Sequence, residues 1–201
     1  MSLRKNAVAL ILFIIIADQA LKIWVKTNMV LGQTFSLFGS WGFIHFIENN
    51  GMAFGMEIGG KIGKLILSLF RIVAIIGISW FLNSLINKKD HWGLILAISA
   101  ILAGAIGNMI DSAFYGMIFS ESHVQPAIMF PPGGGYSSFL HGKVVDMFYF
   151  PIIDTQWPDW SPINAGKPFI FFSPVFNIAD SSVTCGILSI LLFRNKMFEE
   201  E

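Results

Sequence analysis

Residues 93–111 have the sequence GLILAISAILAGAIGNMID, and Asp111 is the first charge in this stretch. About 20 mainly apolar residues can cross the roughly 30 Å hydrocarbon layer of a bilayer as one helix. We therefore expect a transmembrane helix over 93–114. The whole chain agrees with a bilayer environment, because 54% of its 201 residues are hydrophobic and only 13% are charged. Soluble domains are about 25% charged.

Three other stretches are also apolar and predict spans over 7–25, 62–86 and 174–193. Charge follows the first run, which predicts a retained span rather than a cleaved leader. We expect one membrane domain over 1–201, an all-α bundle of four transmembrane helices.

Basic residues predict how this bundle is oriented. They flank the spans on one side, as the pairs Arg4 and Lys5, Lys88 and Lys89, and Arg194 and Lys196. By the positive-inside rule both termini are then cytoplasmic. The two long segments, 27–61 and 115–173, are expected on the outer side.

The outer segments differ in character. The stretch Trp41–Glu48 is rich in aromatic and β-branched residues and is followed by the turn signal Asn49-Asn50-Gly51, which predicts a small extracytoplasmic β-sheet. The run PPGGG at 131–135 breaks regular structure and predicts an outer loop or flap. Trp157 and Trp160 are typical of a loop at the membrane interface.

Four carboxylates from distant parts of the chain are predicted to meet at the outer end. Counting about 1.5 Å per residue from the span ends places Asp18 and Asp111 in the outer half of the bundle. Asp180 lies about two turns below the outer surface, and Asp146 belongs to an outer segment. Charge inside a span is costly, so these acids are candidates for function.

Several of these acids also have structural interpretations. Asp18 and Lys22 have the i,i+4 spacing of a helical ion pair, which is the favoured interpretation there. Asn108 and Asp111 share one face of a helix, and both a functional role and a bond to neighbouring backbone are open to them.

Asp180 is harder to explain structurally, because it interrupts an otherwise apolar span, with Asn177 on the same face. Asp146 alone is compatible with an ordinary loop acid. Two close carboxylates cannot both ionise cheaply, so one keeps its proton near neutral pH. The ionised member can take a proton from water while the protonated member polarises a carbonyl group. This chemistry is aspartyl peptide hydrolysis.

Other chemistries have little support in the sequence. The four histidines lie in predicted loops without metal-ligand spacing, and Cys185 is the single cysteine, so no metal or other cofactor is expected. The net charge of zero provides no footprint for nucleic acid. A small transporter or channel that couples protons through intramembrane acids remains an alternative, as does a structural assembly subunit.

Five motifs together resemble those of the bacterial lipoprotein signal peptidase family, also called signal peptidase II, and they occur in the family's order. They are Asp18-Gln-Ala-Leu-Lys22, Asn49-Asn-Gly51-Met-Ala53-Phe54-Gly55, Gly104-Ala-Ile-Gly107-Asn108-Met-Ile-Asp111, Val144-Val145-Asp146, and Phe176-Asn177-Ile-Ala179-Asp180. The resemblance covers nearly the whole chain apart from inserts within 115–142 and 151–172.

This resemblance implies a membrane-embedded aspartic endopeptidase without a cofactor. Such enzymes remove signal peptides from prolipoproteins, cutting before a diacylglyceryl-modified cysteine. The implied partners are the prolipoprotein and membrane lipid. The implied protein is a monomer in the bacterial cytoplasmic (inner) membrane, with its site near the outer face.

The resemblance also implies residue roles. The family's catalytic pair corresponds to Asp146 and Asp180. Positions that bind substrate or shape the site correspond to Asp18, Lys22, Asn49, Gly51, Asn108, Asp111 and Asn177.

The chain departs from the family pattern in two places. Ser112 stands where relatives usually carry an arginine, and Lys143 is the cation that we expect to replace it. The stretch between Asp111 and Asp146 is also longer than usual, and we expect the extra chain to form the outer flap. Arg71, inside the second span, has no implied role; snorkelling, an ion pair with Asp18 and simple packing are all open to it.

Overall fold

The computed structural model describes residues 3–51, 60–151, 153–171 and 174–198. Residues 52–55 of the motif that begins at Asn49 lie outside the described residues. The helices that precede the second outer segment are α1 (Leu3–Asn28), α2 (Gly60–Lys88) and α3 (Trp92–Ile110). α3 continues through a π-helical turn (Asp111–Tyr115) into the short α4 (Gly116–Ile118).

In the part of the chain that the structure describes, three helical stretches are long and apolar enough to cross a membrane. They are Leu3–Asn28, Ile62–Lys88 and Trp92–Ile118. They contain the spans predicted over 7–25, 62–86 and 93–114, which are therefore confirmed as apolar helices. Large side chains such as Phe70, Val73 and Trp80 of α2 are more than two-thirds exposed. A bilayer is the solvent that makes so much exposed apolar surface favourable.

Among the described residues, six short strands make two antiparallel sheets. The strands are β1 (Thr34–Phe38), β2 (Gly42–Asn49), β3 (Val144–Tyr149), β4 (Ile153–Gln156), β5 (Pro168–Phe171) and β6 (Val175–Phe176). The larger sheet has the order β1-β2-β3-β6. The sheet predicted from the first outer segment is confirmed, but two of its strands come from the second outer segment and were not predicted.

The register of the larger sheet positions Asp146. Ile47 of β2 pairs with Asp146 of β3, and Asn49 pairs with Val144. The separate β4–β5 hairpin carries the exposed Trp160 at its loop, where an irregular interfacial loop was expected.

The last apolar stretch is shorter than predicted. The expected start of a span at residue 174 is wrong, because Val175 and Phe176 belong to β6 and the helix α5 runs from Ile178 to Leu192. Asn177 ends the extended backbone and caps α5, since its side chain accepts a hydrogen bond from the backbone N–H of Asp180. α5 is followed by α6 (Arg194–Phe198).

Small residues on α3, among them Gly104 and Gly107, allow α5 to pack closely against it. A β-carbon on Gly104 would clash with the backbone oxygen of Ala179. A β-carbon on Gly107 would lie 2.8 Å from Asp18 Oδ2. These glycines therefore bring α1, α3 and α5 together at the level of the acidic residues.

The long segment between α4 and β3 is packed against the bundle, which corrects the expectation of a flap. The backbone N–H of Ala127 donates to the carbonyl of Lys26, and Gly142 N–H donates to Ser112 O. Phe119 is buried in a core cluster with residues of α1, β2 and β3. The segment is held because its own apolar side chains complete this core.

The basic clusters gather at the end of the bundle opposite the sheet. Arg4 at the start of α1 donates to Asn83 Oδ1 and Asn87 Oδ1 near the end of α2. Met197 of α6 lies against Gly93 at the start of α3. The charge asymmetry used for the sequence prediction is therefore present in the fold.

Candidate active site

The acidic residues singled out in the sequence lie at one end of the bundle, beside the larger sheet. α1 contributes Asp18 and Lys22, the end of α3 contributes Asn108 with Asp111 directly after it, β3 contributes Asp146, and the start of α5 contributes Asn177 and Asp180. The side chains of Asn108 and Asp180 are partly exposed, and the others are buried.

Lys22 is the hub of this cluster. Its ammonium lies 2.8 Å from Asp18 Oδ2 and 2.8 Å from Asp111 Oδ2. It also donates to Asn108 Oδ1 at 2.8 Å. An ammonium has three N–H donors, so all of them are used. The ion pair expected between Asp18 and Lys22 is present, and it extends to α3.

The other oxygens of the two carboxylates reach neighbouring elements. Asp18 Oδ1 accepts the backbone N–H of Ala179 in the first turn of α5, at 2.9 Å. The positive end of a helix favours a negative charge there. Asp111 Oδ2 accepts the backbone N–H of Val145 at 3.2 Å. Asp111 thus holds the residue directly before Asp146, and Asp18 holds the residue directly before Asp180.

Two asparagines connect Asp146 with Asp180. The Asn177 amide donates to Asp146 Oδ1 at 2.7 Å and to Asn108 Oδ1 at 3.1 Å. The Asn108 amide donates to Asp180 Oδ1 at 2.7 Å. Asn177 also accepts the N–H of Asp180 at 2.8 Å. The backbone N–H of Asn177 donates to Asp180 Oδ2 at 3.4 Å, so both carboxylates are in direct contact with the same asparagine.

The environment of Asp146 favours its protonated form. Burial is the largest cause and the negative charge of Asp180 is the next, and together they raise the pKa of Asp146 to about 7. The charge of Lys22 and the side chains of Asn177 and Asn49 oppose this shift. The raised pKa therefore favours the protonated form of Asp146 up to near neutral pH.

Asn49 and Gly51 lie at the rim of the cluster. Asn49 Oδ1 accepts the backbone N–H of Gly51 at 2.8 Å, which closes a tight turn at the end of β2. Gly51 has φ +86°, a backbone conformation that residues other than glycine rarely adopt. The turn therefore brings Asn49 to the Asp146 side of the sheet.

Sequence reasoning missed two residues of this region. Gln19 donates to Asp18, to Asp111 and to the carbonyl of Gly107, and it accepts a hydrogen bond from Tyr115. Gln19 lies within the motif Asp18-Gln-Ala-Leu-Lys22, and this motif was the signal that could have found it. Arg71 was noted for its charge, but its contacts were not foreseen.

Lys143 does not occupy the place expected for it. Its ammonium lies 3.3 Å from Glu48 Oε2 and above the ring of Tyr136. The cation beside Ser112 is Arg71, whose Nη1 donates to Ser112 Oγ at 3.0 Å. Glu48 instead binds Lys143 together with the buried Lys26.

Chemically, this arrangement provides two carboxylates that hold one proton, in a cluster where every other acid is already paired. Asp180 is partly exposed, whereas Asp146 is 2% exposed. A water molecule at Asp180 can lose a proton to an ionised carboxylate while the protonated partner donates to a carbonyl oxygen.

Comparison with known proteins agrees with the motifs. A family model described as Signal peptidase (SPase) II matches residues 10–195. A lipoprotein signal peptidase of Porphyromonas gingivalis is 52% identical over 189 residues, which cover 94% of this chain and 82% of the relative. A lipoprotein signal peptidase of Amoebophilus asiaticus is 35% identical, covering 94% of this chain and 77% of the relative.

Solved structures share the fold. A bacterial membrane enzyme determined by the in meso method at 2.3 Å resolution has a TM-score of 0.61 and 24% identity, covering 98% of this chain and 93% of the other. A second one, at 1.9 Å, has a TM-score of 0.60 and 25% identity, covering 96% of this chain and 94% of the other.

Proposed function

Since this chain belongs to the signal peptidase II family, we propose that it is an aspartic endopeptidase that removes signal peptides from diacylglyceryl-modified prolipoproteins. Asp146 and Asp180 are its catalytic pair, and the cut falls before the lipidated cysteine. The observation that carries this proposal is the contact of both carboxylates with Asn177, whose side-chain amide donates to Asp146 Oδ1 and whose backbone N–H donates to Asp180 Oδ2.

The reaction begins with one proton shared by the pair. Burial raises the pKa of Asp146, so we assign the proton to Asp146 and the role of general base to Asp180. Asp180 removes a proton from water, and the hydroxide attacks the scissile carbonyl carbon. Asp146 donates its proton to the carbonyl oxygen, giving a tetrahedral intermediate. As this collapses, the proton on Asp180 passes to the leaving nitrogen, and Asp146 is reprotonated from the new carboxyl group.

The surrounding residues hold this geometry. Lys22 binds Asp18 and Asp111, which in turn hold the backbones next to Asp180 and Asp146. Asn108 and Asn177 fix the carboxylate oxygens directly. Catalytic groups held rigidly before substrate binds need little reorganisation during the reaction.

The position of the pair suits a lipid-anchored substrate. It lies at the end of the bundle opposite the basic clusters, which we assign to the cytoplasmic side of a bacterial membrane. We also assign α5, with α6, as a fourth crossing. A diacylglyceryl cysteine then keeps its chains in the outer leaflet while its peptide bond reaches the pair. Each buried methylene contributes about 0.8 kcal/mol, so lipid recognition can anchor a short peptide motif.

A proton-coupled transporter requires acids distributed across the membrane depth or a broken helix at the midplane. The acids of this cluster collect at one end of the helices, which favours hydrolysis over transport.

The test is incubation of the purified protein with a prolipoprotein whose cysteine carries diacylglyceryl. We expect cleavage by the wild type and none by Asp146→Asn or Asp180→Asn, with all three folded. Asp90→Asn, at the opposite end of the bundle, is the matched control and should cleave normally. Normal processing by either variant of the pair would refute the assignment, and an inactive wild type would refute the function.

A further inference from the structure

Arg71 is a charge in the middle of α2 that the mechanism above does not use. Its Nη1 donates to Ser112 Oγ at 3.0 Å and its Nη2 donates to the carbonyl oxygen of Gly51 at 2.7 Å. A charge within an apolar helix is costly to keep. The presence of Arg71 in this helix therefore indicates that its two hydrogen bonds, to Ser112 and to Gly51, have a role in the protein.

The guanidinium lies directly on the turn that follows β2. A β-carbon added to Gly51 would lie 2.8 Å from Nη1 and 2.9 Å from Nη2, so only glycine leaves room for this approach. The same turn is closed by Asn49, whose side chain acts on Asp146. Arg71 thus links α2, the end of β2 and the π-helical turn after α3 on the side where the catalytic pair lies.

The charges of the site give a second, independent reason to assign Arg71 a role there. Lys22 is already saturated by Asp18, Asp111 and Asn108, so one ammonium faces two carboxylates. The catalytic pair adds one more negative charge when it holds one proton. The positive charge of Arg71 interacts favourably with Asp180, Asp111 and Asp146, in that order. Arg71 therefore adds a positive charge to that of Lys22 beside this acidic cluster, where a low dielectric constant strengthens such interactions.

We propose that Arg71 is a positioning residue of the peptidase: it clamps the Gly51 turn onto Ser112 beside the pair and offsets the surplus negative charge there. This inference rests on the proposed function. It assigns to α2 a part in the site that neither the motifs nor the mechanism assign.

If Arg71 offsets negative charge at the site, its removal should change the pH dependence of kcat/KM. Asp146 is faced by Asp180 from α5, Lys22 from α1, Asn49 from β2 and Arg71 from α2. Removing a neighbouring cation makes Asp146 bind its proton more tightly. Arg71→Gln should therefore move the profile of kcat/KM to higher pH by about one unit. It should also lower the maximum about 100-fold, as expected for misplaced catalytic groups.

Two further variants separate charge from geometry. Arg71→Lys keeps the charge but cannot bridge two acceptors as the planar fork does, so its profile should stay in place while its rate falls about tenfold. The double variant Arg71→Ser with Ser112→Arg exchanges the two residues of this contact. The guanidinium then extends from position 112 towards position 71. This exchanged pair should recover activity relative to Arg71→Gln and restore the position of the profile.

The experiment measures cleavage of a diacylglyceryl-modified prolipoprotein between pH 5 and 9 by each variant. Arg4→Gln is the matched control, because Arg4 also bonds two side chains from α1 but lies at the opposite end of the bundle. It should behave as the wild type does. Melting in detergent establishes that each variant is folded, and if Arg71→Gln fails to fold, Arg71→Lys and the exchanged pair decide the question.

The outcomes are distinct. An Arg71→Gln enzyme that keeps its rate, or that loses rate with no displacement of the profile, would overturn the proposal. A folded exchanged pair with the profile and rate of Arg71→Gln would do the same. A wild type without any cleavage would instead refute the proposed function, independently of Arg71.

Discussion

Replacing Lys22 by methionine tests the buried hub on which the site depends. The side chains of Lys22, Asp18 and Asp111 all have 0% exposure, and each carboxylate lies 2.8 Å from the ammonium. Methionine fills a similar volume but leaves two buried carboxylates without their cation. Breaking a buried ion pair in this way costs about 3–5 kcal/mol. For a chain of this size that corresponds to a fall in melting temperature of about 6–20 °C.

The assay is thermal unfolding in a fixed detergent, with Lys5→Met as the control because Lys5 is exposed on the same helix. Adding Asp18→Asn and Asp111→Asn to Lys22→Met removes the unpaired charges and should recover most of the lost stability. The hub would be refuted if Lys22→Met melted with the wild type, or if the added asparagines made the protein less stable still.

Three further perturbations address other parts of the molecule. Gly104→Ala should lower the melting temperature, because its β-carbon would clash with the Ala179 backbone; Gly77→Ala in α2, with nothing within 4 Å, should be neutral or stabilising in the same melt. Because the pKa of Asp146 is raised to about 7, its contribution to stability is fully present below about pH 4 and is lost as pH rises through 7. Melting temperatures compared from pH 5 to 8 should therefore show Asp146→Asn gaining on the wild type, and a constant difference would contradict this. Lys26→Met should expose the segment 119–142 to limited proteolysis, because Lys26 binds Glu48 and Ser122 in the buried contact that holds this segment; an unchanged cleavage rate would show that the apolar contacts suffice.

Local patterns in the sequence determined the helices and the candidate acids. The spans over 7–25, 62–86 and 93–114 follow from continuous hydropathy, which the bilayer selects without reference to the rest of the fold. The strand at 42–49 follows from its aromatic and β-branched residues. Charges in apolar helices are rare, so Asp18, Lys22 and Asp111 were visible as candidates from sequence alone.

Contacts between distant residues decided what the sequence did not. The strands β3 and β6 pair with residues far away in the chain, so their places in the sheet depend on partners that a local pattern does not identify. Since β6 extends to Phe176 and Asn177 caps α5, the helix begins later than hydropathy predicts. The segment 119–142 packs onto the core because Phe119 finds apolar partners there, a fact set by the partners and not by its Pro-Gly run.

The cation beside Ser112 shows the same difference between what a local sequence pattern determines and what tertiary contacts decide. The sequence shows that position 112 lacks an arginine and that Arg71 lies in a span, but it does not join the two observations. Only the packing of α2 against α3 and the Gly51 turn brings that guanidinium to Ser112, while Lys143 is drawn to Glu48 instead. Hydropathy depends on each residue and its neighbours, whereas the placement of a charge depends on every helix that surrounds it.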